Sequence, residues 1–171
     1  MVRIVEWNLG QQKTTGEYVY LVDGKNESDK IGDTVALNAK QLLILEQNGK
    51  RGSKEANQKI YKVDLMGATN IYKLDESRFG KALEAMKPKE LRKNGVRAVQ
   101  KKLYMNLSSL GLYDFEKLEG LSLLDDGTIV LVNDNDFGVE GSFDPKTGKL
   151  TPSPSPLVTK VIWIKPKVGP H

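Results

Sequence analysis

The sequence contains no cysteine, and its single histidine is the last residue, His171. Disulfide bonds and thiolate chemistry are therefore excluded. A Ser-His-Asp triad, a Cys-His pair and a zinc site built from several histidines cannot be assembled from this chain either. If the chain hydrolyses a bond, carboxylates, lysines, tyrosines or an oxygen-ligated metal ion must carry the reaction.

Long hydrophobic runs are also missing from the sequence. No run approaches the roughly 18 apolar residues of a membrane span, so we expect no membrane-spanning helix. Met1 leads directly into the strand-like VRIVEW, without the basic and apolar segments that mark a signal peptide. The expectation is either a cytoplasmic protein or a chain that begins after a removed or omitted upstream region.

The 171 residues, of which 39% are apolar and 28% charged, predict a single folded domain over residues 1–171. The net charge of +4 hides two segments of opposite sign. Residues 72–102 carry ten basic and four acidic side chains, whereas residues 114–144 carry nine acidic side chains and one lysine. The two segments therefore need separate explanations.

One segment of the chain echoes another. Lys117–Gly138, KLEGLSLLDDGTIVLVNDNDFG, resembles Lys30–Gly49, KIGDTVALNAKQLLILEQNG, in its sequence of apolar run, polar turn, second apolar run and polar cluster. A repeated strand–turn–strand unit predicts a mainly β protein with a β-propeller-like architecture of about two to three blades. In this alignment Asp33 corresponds to Glu119, and the polar cluster that begins at Glu46 corresponds to the cluster that begins at Asn133.

Outside this repeat, alternating or apolar segments predict further strands at Val2–Leu9, Glu17–Asp23, Lys59–Leu65, Val96–Leu107 and Val158–Ile164. Residues 72–95 are predicted to form a basic helical insertion, with helix near residues 75–94. Phe79, Leu83 and Met86 give its first helix one apolar face, and Pro88 is expected to end that helix. The proline-rich stretch Pro152–Pro156 is predicted to be a linker.

Three stretches of the chain resemble the esterase-like phytase family: IGDTVALNAKQLLILEQNG, KIYKVDLMGATNI and KKLYMNLSSLGLYDFEKLEGLSLLDDGTIVLVNDNDFG. The resemblance covers roughly residues 17–138 and is most specific over Leu118–Gly138. It implies a β-propeller that is secreted or periplasmic. It also implies hydrolysis of phosphate or carboxylic esters, with a small phosphorylated or ester substrate as the partner.

The acidic side chains predict a divalent-cation site, for which calcium is the expected ion because it prefers several oxygen ligands. The predicted ligands are Glu119, Asn133, Asp134, Asp136, Asp33 and Glu46. The alternative reading is that these Asn, Asp and Gly residues form turns, and that each carboxylate pairs with a nearby cation.

The basic insertion predicts binding of substrate anions, since arginine and lysine suit phosphate oxygens. The candidate residues are Arg78, Lys81, Arg92, Lys93 and Arg97. The alternative, and the usual explanation for such a run of charges, is a solvated helical face. Nucleic acid is not expected as a partner, because few aromatic residues are interleaved with the basic ones.

The main rival to a hydrolase is a non-catalytic β-propeller that serves as a binding or scaffold domain at the cell surface or in the periplasm. The chain is short for a complete propeller, and three alternatives are open: a fragment, a truncated member of the family, or an oligomer in which the ring is completed between chains.

Overall fold

The computed structural model describes residues 1–24, 27–52, 54–115 and 117–165. His171 lies outside the described residues. The fold is mainly β, with 45% of residues in strands and 12% in helical turns, which confirms the predicted class. Within the described residues the strands form four separate antiparallel sheets, and none of these sheets closes on itself.

Eleven strands run through the described part of the chain: β1 (Val2–Asn8), β2 (Lys13–Tyr20), β3 (Lys30–Asn38), β4 (Gln41–Gln47), β5 (Gln58–Asp64), β6 (Gln100–Asn106), β7 (Leu118–Leu123), β8 (Ile129–Asn133), β9 (Val139–Asp144), β10 (Lys149–Pro154) and β11 (Val161–Ile164). The sheets have the orders β1-β2, β3-β4-β5-β6, β11-β8-β7 and β10-β9. In the four-stranded sheet each strand pairs with the next strand along the chain, which is the arrangement of a β-meander.

The four-stranded sheet is the middle layer of the fold. On one face, Ile44 and Tyr61 pack against Tyr18 and Tyr20 of the β1-β2 hairpin. On the other face, residues of β4 and β5 pack against the three-stranded sheet in a second cluster, formed by Leu43, Leu45, Ile60, Leu107, Leu118, Leu121, Ile129 and Leu131. β4 is therefore buried on both sides, which explains its nearly continuous apolar sequence QLLILEQ.

The connections of the middle sheet leave it at two opposite ends. Segments 48–57 and 107–117 start where Gln47 pairs with Gln58 and where β6 finishes. Segment 65–99 starts at the other end, where Asp64 pairs with Gln100. Strands of seven residues span roughly 20 Å, so these two groups of loops are attached far apart.

The predicted helical insertion is present, but it is built from shorter pieces. Two 3-10 helices cover Glu76–Phe79 and Leu83–Ala85, and a six-residue helix, α1, covers Pro88–Lys93. The continuous first helix was wrong because Gly80, with φ of 70°, ends the first 3-10 helix in the left-handed region. Pro88 does not terminate a helix but begins α1, at the first position where proline is favoured.

The insertion packs on the outer face of the β1-β2 hairpin. Val19 of β2 lies in a third apolar cluster, whose other buried members are Ile71, Leu83, Met86, Leu91 and Val96. The Arg3 guanidinium fastens the hairpin to the insertion by donating to Glu76 at 2.8 Å and to Glu84 at 2.7 Å. Hydrogen bonds to these carboxylates raise the pKa of Arg3 above its usual value.

The predicted linker at Pro152–Pro156 was wrong. Most of it belongs to β10, which pairs with β9 in a hairpin whose residues are all exposed. Proline at position 152 is tolerated because a strand of a two-stranded hairpin has one edge without a partner strand. The composition TPSPSP hid the strand, since proline and serine are typical of linkers.

The strand register tests the internal repeat residue by residue. Ile31 pairs with Glu46 and Leu118 pairs with Asn133, so the predicted equivalence of Glu46 and Asn133 is confirmed. The register shifts at the next residue in both units, which is Gly32 in one and Glu119 in the other. The predicted equivalence of Asp33 with Glu119 was therefore wrong by one residue. In the first copy the glycine, Gly32, precedes the acid, whereas in the second copy the acid precedes the glycine, Gly120.

Candidate functional site

Glu46, near the end of β4, is a fully buried carboxylate surrounded by hydrogen-bond donors. The Tyr20 hydroxyl donates to its Oε1, and the Lys101 ammonium donates to the same atom at 2.6 Å. Ser28 donates to Oε2 through its hydroxyl at 2.6 Å, and Asp23 donates to Oε2 through its backbone N–H at 3.2 Å. Both oxygens are satisfied within the chain, and Lys101 offsets the buried negative charge.

The same lysine joins Glu46 to a second carboxylate. Lys101 donates to Asp23 Oδ1 at 2.5 Å, and its ammonium lies 4.2 Å from the centre of the Tyr61 ring. Burial alone would raise the pKa of Asp23, but hydrogen bonds from Lys101 and Tyr61 outweigh it and lower that pKa below its usual range. We call Tyr20, Asp23, Ser28, Glu46, Tyr61 and Lys101 the Glu46 cluster.

The two tyrosines of the Glu46 cluster act as hydrogen-bond donors. Burial, and then the hydrogen bond to Glu46, raise the pKa of Tyr20. Burial and the bond to Asp23 raise the pKa of Tyr61 in the same way. Both phenols therefore stay protonated at neutral pH, and the cluster ties the segment after β2 to the middle sheet.

Two polar side chains connect the middle sheet to β7. Asp33 accepts the Leu121 N–H through Oδ2 at 2.7 Å, and Gln47 exchanges two hydrogen bonds of 3.0 Å with the backbone of Leu118. Gly32 permits this close approach, since a Cβ at that position would lie 2.1 Å from the Leu118 carbonyl oxygen. Asp33 and Gln47 thus hold two sheets in register where their strands lack a common ladder.

A pocket of about 120 Å³ lies among the loops at the end of the sheets where Asn133 is found. We call it the loop-end pocket. Its lining combines three cationic side chains, two carboxylates and an apolar wall, and consists of Arg51, Asp114, Phe115, Lys117, Asn133, Asp134, Pro156, Leu157, Val158 and Lys160. Four separate segments of the chain contribute to it, so the fold rather than one sequence motif assembles the pocket.

Asn133 organises the wall of the loop-end pocket. Its Oδ1 accepts the Lys160 N–H at 2.6 Å, and its Nδ2 donates to the Val158 carbonyl at 3.2 Å. These bonds fix the backbone that carries Lys160, whose ammonium lies 5.3 Å from the centre of the Phe115 ring. Lys160 thus lines the pocket and contacts an aromatic face, an arrangement in which the ring attracts the cation.

The carboxylates at the pocket edge are arranged by short-range contacts. Lys117 forms an ion pair with Asp136, and this contact raises the pKa of Lys117 and lowers that of Asp136. Asp134 accepts the Asp136 N–H through Oδ1 at 2.9 Å. The next residue, Phe137, is almost fully exposed and has a φ of 59°, a strained value for a bulky side chain.

The six residues predicted as metal ligands lie in separate places. Glu46 lies in its own cluster and Asp33 contacts β7, while Glu119 is exposed at the bulge of β7. The structure brings together only the remaining three predicted ligands, Asn133, Asp134 and Asp136, at the edge of the loop-end pocket.

As arranged, the predicted ligands do not form a calcium shell, because Glu46 and Asp33 use their oxygens within the chain. Within the described ranges, no group of three or more acidic or histidine side chains is placed to hold a metal ion. Calcium binding therefore stays a prediction.

The five basic residues predicted to hold substrate also separate. Arg78 stacks on Phe79 with 4.7 Å between the guanidinium carbon and the ring centre, and Lys81 is paired with Glu90 at 2.6 Å. Lys93 is exposed on α1. Only Arg92 and Arg97 line one pocket together, and this pocket shares no lining residue with the loop-end pocket.

Sequence reasoning missed the cations of the loop-end pocket. Lys117 had a visible signal, since Lys30 occupies the same place in the other copy of the repeat. Lys160 had none, because it follows the proline-rich stretch that resembled a linker. Arg51 lies in a polar loop whose packing against segment 107–117, through a Gly52 N–H bond to the Tyr113 carbonyl, is a tertiary contact.

These features define an antiparallel β protein with a small, mixed-charge pocket among its loops. The model of the phytase-like family, described as esterase-like activity of phytase, matches residues 1–137. The match covers most of the chain, and the chain belongs to this family. Neither the curated proteins nor the solved structures that were compared with it gave a match.

Among the residues that the structure describes, no helix has the length and apolar character needed to span a membrane.

Proposed function

We propose that this protein is an esterase-like phytase domain that hydrolyses small phosphate or carboxylic esters at the loop-end pocket. Family membership supports the class of reaction. The observation that supports the place is the convergence of Arg51, Lys117 and Lys160 with the carboxylates of Asp114 and Asp134 around one pocket. Cations that bind an anionic group beside a carboxylate that accepts a proton are the minimum for ester hydrolysis without histidine.

The contacts of Lys160 and Asp134 give these two residues roles in the reaction. Lys160, positioned by Asn133 and Phe115, binds an oxygen of the phosphate or carboxylate group. Asp134 uses Oδ1 to accept the Asp136 N–H, and we assign its Oδ2 as the proton acceptor for the attacking water. The water oxygen bonds to the phosphorus or acyl carbon as the bond to the ester oxygen breaks, and Oδ2 returns the proton to the departing alcohol. No step is assigned to a metal ion.

The test is hydrolysis of 4-nitrophenyl phosphate, 4-nitrophenyl acetate and phytate by the wild-type chain and two lysine variants. Lys160→Met should lower kcat/KM at least tenfold on every substrate that the wild type turns over. Lys149→Met, on the exposed β10, is the matched control and should leave kcat/KM unchanged. Equal activity of wild type and Lys160→Met would remove the proposed site, and no turnover of any substrate would remove the proposed reaction.

A non-catalytic binding or scaffold domain is the second candidate. It is favoured by the engagement of Glu46 and Asp33 in bonds within the chain, since two of the predicted functional carboxylates hold sheets and loops together instead. Absence of turnover on all three substrates, with a cooperative unfolding transition that shows an intact fold, would select this candidate.

We further propose that the three packed layers are neighbouring parts of a β-propeller, with β3 and β7 as inner strands. The Asp33 contact to Leu121 supports this arrangement, because it joins the first strands of successive units. If copies of the chain complete the ring, light scattering will give a particle mass that is a multiple of 19.0 kDa. A monomer mass would contradict completion between chains.

Calcium dependence and export are part of the same proposal. Family membership supports export, and the oxygen atoms of Asn133, Asp134 and Asp136 near the loop-end pocket are the candidate donors for calcium. A secreted or periplasmic protein would meet millimolar calcium, where weak oxygen sites fill. Thermal melting with calcium, magnesium and a chelator tests the ion. A calcium-selective rise in Tm that Asp134→Asn abolishes would support the site, and identical melting curves would remove it.

A further inference from the structure

Helix α1 and the segment 96–100 that follows it border a second pocket, which differs in chemistry from the loop-end pocket. Its volume is about 340 Å³, and we call it the insertion pocket. The accessible apolar part of its lining includes Leu21, Pro88 and Ala98, and the basic part consists of Arg92 and Arg97.

Buried residues of the folded core lie beneath the accessible apolar part of the insertion pocket. Leu91 and Val96 are each 1% exposed and Val99 is 8% exposed. The backbone around them is fixed, since Val99 donates its N–H to the Val19 carbonyl at 2.9 Å and Val96 donates to the Leu91 carbonyl at 2.9 Å. The pocket floor is therefore present before any ligand arrives, which lowers the entropic cost of binding.

The basic part consists of two exposed arginines. Arg92 lies in the last turn of α1, and Arg97 follows on the strand-like segment that leads to β6, with its N–H bonded to Thr69 Oγ1 at 2.9 Å. Within the described ranges, neither guanidinium has an acidic partner, whereas nearby Lys81 is paired with Glu90. Two unpaired guanidinium groups at the rim of one apolar pocket form a place for an anion.

We propose that the insertion pocket binds a small molecule with an anionic head and an apolar body, such as an alkyl or aryl carboxylate or phosphate monoester. The guanidinium groups of Arg92 and Arg97 hold the head, since their planar forks match carboxylate and phosphate oxygens. The accessible apolar surface of Leu21, Pro88 and Ala98 covers the body. This site does not depend on the hydrolytic function proposed above, because the two pockets share no residue.

The first test separates the two halves of the ligand by calorimetric titration of the complete chain. Octanoate and octyl phosphate carry both a head and a body, inorganic phosphate carries only the head, and octanol carries only the body. Octanoate and octyl phosphate are expected to bind at least tenfold more tightly than phosphate or octanol. The ratio of their affinities then tells which anionic head the arginines prefer.

The second test changes the arginines without touching the core. Arg92→Gln and Arg97→Gln, both at exposed positions, should each weaken binding of the preferred octyl ligand about fivefold to tenfold. Lys93→Gln is the matched control, since Lys93 is exposed on the same helix and does not line the pocket. It should leave the affinity unchanged.

The third test fills the pocket. Ala98→Leu adds apolar volume at a half-buried lining position and should weaken the octyl ligands while leaving the weak binding of inorganic phosphate unaltered. The proposal fails if wild type binds neither octanoate nor octyl phosphate at millimolar concentration. It fails equally if a variant that combines Arg92→Gln with Arg97→Gln binds them as tightly as wild type. It also fails if inorganic phosphate alone binds as well as octyl phosphate.

Discussion

Glu46 and Asn133 occupy equivalent places in two copies of one strand–turn–strand unit, yet their surroundings differ. Glu46 is completely buried, and its oxygens accept hydrogen bonds from tyrosine, serine, lysine and backbone donors. Asn133 is also buried, but it bonds to the backbone of the segment that carries Lys160 and lies in the wall of an open pocket. In the first copy, donors enclose the polar side chain of Glu46, whereas in the second copy Asn133 lies in the wall of the loop-end pocket. We call the first the closed copy and the second the open copy.

The difference follows from the charge of the side chain. A buried carboxylate requires a cation and several donors, so the position of Glu46 recruits Lys101 from β6 and the segment after β2. A neutral amide satisfies itself with two backbone groups and recruits no charge. Asn133 therefore takes up no cation; it fixes the backbone of Lys160, whose side chain lines the loop-end pocket.

The largest expected effect comes from removing the cation of the closed copy. Lys101→Met leaves Glu46 buried without its charged partner, which should lower the free energy of unfolding by about 3–5 kcal/mol. Urea denaturation followed by circular dichroism measures the change. Lys102→Met, at the next, exposed position of β6, is the control and should change stability by less than about 0.5 kcal/mol. Equal stabilities of the two variants would show that the closed copy needs no cation.

A smaller effect is expected from the open copy. Asn133→Ala leaves the Lys160 N–H and the Val158 carbonyl without their side-chain partner, and should lower the free energy of unfolding by about 1–2 kcal/mol. Asn135→Ala, two residues later, removes an amide of the same size and serves as the control. If Asn133→Ala destabilised the protein as much as Lys101→Met, the proposed contrast between the two copies would be lost.

The fold class, the insertion and the repeat were predictable from the sequence, because alternating apolar residues and a repeated motif are local signals. The register error at Asp33 and Glu119 arose because a bulge shifts the pairing by one residue, and bulges have no clear sequence pattern. The proline-containing β10 was missed for a related reason: its strand character depends on pairing with β9.

The candidate site was less predictable than the fold. The acidic cluster near Asn133 was visible, and it does border the loop-end pocket. Whether a carboxylate is available to bind a ligand depends on its tertiary partners. The sequence around Glu46 does not indicate that Lys101, 55 residues later, pairs with it. Lys160 illustrates the converse, since only the pairing of β11 with β8 brings it beside Asn133.

The smallest expected effect concerns how the stability of the closed copy depends on pH in the acid range, through Asp23 of the Glu46 cluster. Hydrogen bonds keep the pKa of Asp23 low, so its contribution to stability is present above its unfolded pKa of about 3.9 and is lost as the pH falls through the lower folded pKa. Tyr61→Phe removes one of these bonds and should make the loss of stability below pH 4 shallower than in wild type. Urea titrations at several pH values measure it, with Tyr104→Phe, at an exposed position, as the control. Parallel acid curves for wild type and Tyr61→Phe would contradict the assigned role of that bond.

The most direct measurement is a crossed comparison of Lys101→Met and Lys160→Met, with unfolding free energy and ester hydrolysis determined for both. Lys101→Met should lose stability but keep its kcat/KM under conditions where it is folded. Lys160→Met should lose at least tenfold in kcat/KM while its stability changes by less than about 1 kcal/mol. Loss of activity in Lys101→Met with unchanged activity in Lys160→Met would place the reaction at the Glu46 cluster and contradict the account.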